Sequence, residues 1–251
     1  MKSLINLTDL GVLSVTGEDA ASFLQGQMTC DVNELIEHKG QLSAFCNPKG
    51  RVIATFLIIK TTEGFLLVLP KSLLITVQEL LQHYKLRAKV EFSEMENLPI
   101  QRFLKPSTLR TPWILPETSE QFIPQSLALD TNGAVSFTKG CYTGQEIVVR
   151  THYLGDVKRQ LNLALCESIA NVEPGCPIID ETGENVGTVL LAQVRSIPYK
   201  TKDSITGDVI ETSVNKMIVL CVLNTDTIES TLRLDNALRD VLKIVGGRKH
   251  E

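Results

Sequence analysis

The chain has 251 residues, with 25 Lys and Arg against 29 Asp and Glu, a net charge of −4 and 43% hydrophobic residues. That length buries a sizeable core without disulfides. The acidic balance disfavours direct tRNA binding or any general coating of nucleic acid, which needs excess Lys and Arg to displace phosphate counterions. Residues 1–9 are interrupted by polar side chains and carry no targeting segment. The longest strongly apolar run, residues 52–59, is too short to span a bilayer. A cytoplasmic location with no membrane contact is the expectation.

Residues 12–15 predict a strand. Thr16 then reads as a helix cap, with Asp19 three residues on and Ala20, Phe23 and Leu24 as the inner stripe. Residues 42–46 and 51–60 predict two strands joined at Asn47-Pro48-Lys49-Gly50, where Pro in second and Gly in fourth place suit a tight turn. Residues 65–69 predict another strand. Leu73, Leu74, Val77, Leu80, Leu81 and Tyr84 recur at helical spacing, and residues 88–92 predict a strand that closes this block.

Residues 94–124 hold five prolines, Pro99, Pro106, Pro112, Pro116 and Pro124, and read as an extended connector containing short structure of its own. Beyond Gly155 the pattern is strand-like. Residues 158–166 alternate, Asp180-Glu181-Thr182-Gly183 makes a turn, and residues 186–194 and 216–223 are apolar runs. A small antiparallel barrel or sandwich follows from this spacing. The fold class is α+β, with one domain over 1–155 and a second over 156–251.

Six cysteines lie at 30, 46, 141, 166, 176 and 221, without a Cys-x-x-Cys pair or a Cys/His cluster that suggests zinc. Cys166 and Cys221 sit in apolar runs and read as buried hydrophobes. Cys141 differs. It lies in Lys139-Gly140-Cys141-Tyr142-Thr143-Gly144-Gln145-Glu146, where Thr143 and Glu146 have capping-box spacing ahead of Ile147-Val148-Val149. A helix starting there puts Cys141 just before a positive helix end, which favours thiolate. Lys139 and Arg150 add positive charge nearby. A thiolate ligates soft metals and attacks electrophiles. The same residues also fit a buried cysteine in a glycine-containing turn.

The Lys139–Glu146 octapeptide resembles the signature of the YgfZ branch of the aminomethyltransferase-like (GcvT-like) family, which is related to mitochondrial iron–sulfur assembly factors. The resemblance extends through Gln121-Phe122-Ile123-Pro124-Gln125, through Lys158-Arg159, and to Leu24-Gln25-Gly26-Gln27-Met28-Thr29-Cys30-Asp31-Val32 and Cys46-Asn47-Pro48-Lys49-Gly50-Arg51. It implies a GcvT-like N-terminal domain with an inserted ferredoxin-like lobe, here largely missing around 93–111, followed by a C-terminal antiparallel β-barrel. It implies support of iron–sulfur enzymes, including those that modify tRNA, and tetrahydrofolate in a central hole. It also implies a transient 2Fe–2S cluster shared between Cys141 and an A-type assembly partner or client enzyme. The motif residues carried over are Cys141, Lys139, Tyr142, Gln145, Glu146 and Arg150. Gln27, Asp31, Lys49 and Arg51 are candidates for cofactor contact.

The resemblance has departures. Leu10 stands where relatives often have tryptophan, and residues 104–110 replace a segment bearing a pterin-binding glutamate. Trp113, the lone tryptophan, reads as a packing anchor. True aminomethyltransferases carry an aspartate on the strand after the Asn-x-x-Gly turn, where this chain has Ala54 and Thr55. Neither serves as a carboxylate acid or base, which argues against classical folate-dependent aminomethyl transfer. His152 is a lesser candidate beside Cys141.

Overall fold

The computed structural model describes residues 7–95, 111–166, 172–202, 209–228, 230–236 and 240–247. The chain divides into two compact units, Met1–Gln160 and Leu161–Glu251. The division falls at 160/161, five residues beyond the expected 155/156. Helix α3 runs on to Leu154, and regular pairing of the second unit starts only with the strand at Arg159.

In the first unit, β1 (Leu10–Thr16), β2 (Gly40–Cys46), β3 (Val52–Lys60), β4 (Gly64–Pro70) and β5 (Glu91–Met95) form an antiparallel sheet in the order β2-β3-β4-β1-β5. Thr16 ends β1 instead of capping a helix. α1 (Ala20–Gln25) follows with Asp19 as its N-cap, and the Asp19 carboxylate accepts from the Lys89 amide at 2.8 Å. The expected stripe of Ala20, Phe23 and Leu24 is the buried face. β5 starts three residues later than expected, because Ala88 and Val90 are held in a turn by the carbonyls of Lys85 and Ala88.

α2 (Lys71–Lys85) packs on β1, β3 and β4. It buries Leu73, Leu74, Val77 and Leu81, each contributing about 1.5–3 kcal/mol in transfer free energy. The turn at Asn47 forms as read. Gly50 N–H donates to the Asn47 carbonyl at 2.9 Å, and the Asn47 side-chain oxygen accepts from the amides of Lys49 and Arg51.

β3 is buried from Val52 through Ile59. Part of its cover is the described portion of the connector, in which short 3-10 turns span Pro116–Thr118 and Pro124–Leu127. The Thr55 hydroxyl donates to the Pro112 carbonyl at 2.9 Å and accepts from the Ile114 amide at 3.1 Å. Val52 N–H donates to the Phe122 carbonyl, and Glu120 N–H to that of Val52. Trp113 is a packing anchor: it is buried, and its Nε1 has no hydrogen-bond partner among the described residues. Pro99, Pro106, the 104–110 segment and most of the shortened lobe lie outside the described residues.

In the second unit, β6 (Arg159–Cys166), β7 (Pro177–Ile179), β8 (Asn185–Lys202), β9 (Val209–Asn224), β10 (Leu232–Leu234) and β11 (Val241–Gly247) close a barrel in the order β10-β11-β6-β9-β8-β7. Its core includes Ala164, Cys166, Val189, Val219, Cys221, Leu223, Leu232 and Leu234. β8 and β9 are longer than their apolar runs, pairing in register out to Lys202 and Val209. Gly246 and Gly247 are ladder residues opposite Leu163 and Asn162. Residues 248–251 lie outside the described residues. Among the described residues, no helix is long and apolar enough to cross a membrane.

Candidate thiol site

The octapeptide forms a loop running into α3 (Gln145–Leu154). The capping box does not form. Gly144 is the N-cap at φ 81°, with no side-chain cap, and Glu146 is exposed in the first turn. Thr143 is drawn elsewhere: its hydroxyl lies 3.2 Å from Gln27 Oε1, and its amide donates to the Gly26 carbonyl at 3.2 Å. The helix therefore begins one residue later than the capping box places it, and Cys141 lies further from its positive end. That influence falls off within a turn.

Lys139 is the second anchor. Its side chain is buried, and Nζ donates to the carbonyls of Gln25 at 2.6 Å, Met28 at 2.7 Å and Cys30 at 2.8 Å. The Tyr142 ring centroid lies 5.1 Å from the same nitrogen. Burial pulls this ammonium down to about 8, with Cys30 and Asp31 pulling the other way. The three carbonyl acceptors also favour the charged form. With all three donors engaged, Lys139 is an internal clamp and not a free base.

The third anchor joins the loop to the Asn47 turn. Gly50, at φ +69°, packs against Gly144 and Ile147 so closely that a Cβ on Gly50 would stand 2.9 Å from Ile147 Cβ. Gln125 Nε2 donates to the Val148 carbonyl at 2.6 Å. Four of the five stretches that carry the resemblance, all but Lys158-Arg159, thus meet around one loop. Gln27, Asn47, Gly50, Gln125 and Lys139 are their contact points.

Within that frame Cys141 is exposed and Tyr142 points inward. The Tyr142 hydroxyl is buried without a partner among the described residues, and burial, with Cys46 adding to it, pushes its ionisation well above the usual phenol range. Gln145 N–H donates to the Tyr142 carbonyl at 3.1 Å, and Arg150 is exposed. His152 stacks on Phe137, ring centroids 3.7 Å apart at 15°, with Tyr153 edge-on to both.

Just ahead of Lys139, Ser136, Phe137 and Thr138 form one wall of a cleft of about 460 Å³, faced by Asp31, Glu34 and Lys39. Of the four candidate cofactor contacts only Asp31 lines it. Asp31 Oδ1 accepts from Gln25 Nε2 and the Asn33 amide. Gln27 is spent on Thr143, Arg51 Nη1 donates to the Gln121 carbonyl at 2.7 Å, and Lys49 is exposed in its turn. Gln27, Lys49 and Arg51 do not line this cleft. Sequence reasoning missed the cleft, Phe137 and the clamping role of Lys139. The only available signal was their closeness in sequence to Cys141.

No family model matches the chain. It is 28% identical to a tRNA-modifying protein YgfZ from Colwellia psychrerythraea, over 63% of this chain and 70% of that one. It is 30% identical to a tRNA-modifying protein YgfZ from Hamiltonella defensa, over 63% of this chain and 68% of that one. The chain belongs to the YgfZ family. Among solved structures, aminomethyltransferase T of the glycine cleavage system from Bartonella henselae matches with a TM-score of 0.66 at 12% identity. The match covers 95% of this chain and 83% of that one, and at that identity it shows the GcvT-like fold alone. The α+β sheet unit and the closed barrel agree with the fold expected of the YgfZ family.

Proposed function

We propose that this protein is a YgfZ-type accessory factor in tRNA modification, supporting iron–sulfur-dependent enzymes through Cys141. The reading rests on one observation: Cys141 is an exposed thiol in a loop whose other anchors, Lys139 and Thr143, are tied inward. The tRNA-modifying names of the relatives supply the process. Among the described residues, no three His, Cys, Asp or Glu side chains gather as a metal site. A cluster met here is therefore cargo. Cys141 supplies one thiolate, and an A-type assembly partner or the client enzyme supplies the other ligands.

Folate-dependent aminomethyl transfer is the weaker reading. β3 carries Ala54 and Thr55, both buried, and the Thr55 hydroxyl is consumed by Pro112 and Ile114. No carboxylate stands there to take the proton of a folate amine. Of Gln27, Asp31, Lys49 and Arg51 only Asp31 lines the cleft beside the loop, and tetrahydrofolate is assigned no step.

The test is complementation. In cells lacking the protein, the wild type restores iron–sulfur-dependent tRNA modification, and Cys141→Ser, expressed at the same level, does not. Full restoration by Cys141→Ser rejects the role.

A further inference from the structure

We propose that Lys139 is the positioning residue for Cys141, acting as a built-in cation in a cage of backbone carbonyls that accepts potassium or ammonium once the side chain is removed. The inference rests on Cys141 being the working residue, but its readouts do not depend on cluster chemistry.

The cage is formed by the turn that follows α1. Gly26, Gln27 and Met28 donate their amides back to the carbonyls of Ser22, Phe23 and Leu24. That turn leaves the carbonyls of Gln25, Met28 and Cys30 facing one point, and Lys139 Nζ occupies it at 2.6, 2.7 and 2.8 Å. The Tyr142 ring covers a further side at 5.1 Å. An ammonium has three donors and no acceptor, so the match of number and kind is complete. Converging carbonyl oxygens are also what replaces the hydration shell of a monovalent cation.

The consequence for Cys141 comes from where the ties fall. Lys139 is fastened to the 25–30 turn on one side of the thiol, and Thr143 N–H is fastened to Gly26 of the same turn on the other. Between them Gly140 adds no restraint, since a Cβ there would meet nothing within 4 Å among the described residues. Cys141 is held at the apex of a five-residue loop by its two ends, and one of those ends is the Lys139 cage. Cutting it leaves that end of the loop held only through the main chain, by the Lys139 amide on Ser136 Oγ at 3.2 Å and the Ser136 amide on the Thr29 carbonyl.

The experiment uses the full chain and amide hydrogen exchange of the peptide containing residues 140–145. In Lys139→Ala this segment exchanges roughly tenfold faster than in the wild type. Potassium or ammonium chloride slows it back toward wild type, whereas lithium or choline chloride at the same ionic strength does not. The wild type is indifferent to all four salts. Unchanged exchange in Lys139→Ala, or faster exchange blind to the cation, overturns the cage. Should Lys139→Ala not fold, the wild type still decides: a lysine ammonium with slowed proton exchange at neutral pH supports the cage in nitrogen-15 spectra, and its absence overturns it. Cys141→Ser leaves these readouts unchanged, so failure of the cluster reading and failure of the cage are told apart.

Discussion

Gly144 packs its bare Cα against Gly50: a methyl on Gly144 would come 2.9 Å from Gly50 Cα and 2.4 Å from the Asn47 carbonyl oxygen. Both glycines have positive φ, +81° and +69°. The contact seats the start of α3 on the β2–β3 turn, and the conformation and the space both demand glycine.

Gly144→Ala therefore destabilises the protein by about 2 kcal/mol or more, because the neighbours it meets are backbone atoms. Gly140→Ala, four residues earlier and with no described neighbour within 4 Å of the added methyl, changes stability by about 0.5 kcal/mol at most. Urea titrations of the two variants beside the wild type check the contrast.

Thiol reactivity should sort by burial. Cys141 is exposed, Cys176 half-buried, and Cys30, Cys46, Cys166 and Cys221 buried. Alkylation of the native protein, read by mass spectrometry, modifies Cys141 first, and Cys141→Ser loses that fast phase without loss of thermal stability.

Alkaline pH should weaken the fold through buried thiols. Burial pushes Cys46 and Cys221 up to about 12. Above pH 9 the unfolded chain loses these protons while the folded chain keeps them, so stability falls as pH rises from about 9 toward 12. Each such thiol contributes a slope of at most about 1.4 kcal/mol per pH unit. Urea unfolding between pH 8 and 10.5 measures the slope, and Cys46→Ala flattens it.

The Thr55 hydroxyl joins β3 to the connector through Pro112 and Ile114. Thr55→Val strands the buried Ile114 amide and costs about 1–3 kcal/mol, measured as a lower urea midpoint. A folded and equally stable Thr55→Val protein would show that the connector is held by other contacts.

Much of this architecture was legible because burial leaves periodic marks. The α2 stripe, the Asn47 turn and the apolar halves of β8 and β9 follow from spacing alone. The polar outer halves of β8 and β9 carry no such mark, since ladder pairing with their neighbours forms them. Thr143 read as a cap because local spacing allowed it, but Gln27, distant in sequence, claims its side chain. Lys139 read as a charge near a thiol, and only the folded turn shows three carbonyls waiting for it. Local chemistry was visible; partners brought from far along the chain were not.

The most direct test is anaerobic reconstitution of a 2Fe–2S cluster on an A-type partner in the presence of this protein, followed by visible absorption and gel filtration. The account predicts a coloured complex containing both proteins with the wild type, and colour confined to the partner with Cys141→Ser. A coloured complex formed equally well by Cys141→Ser would contradict it.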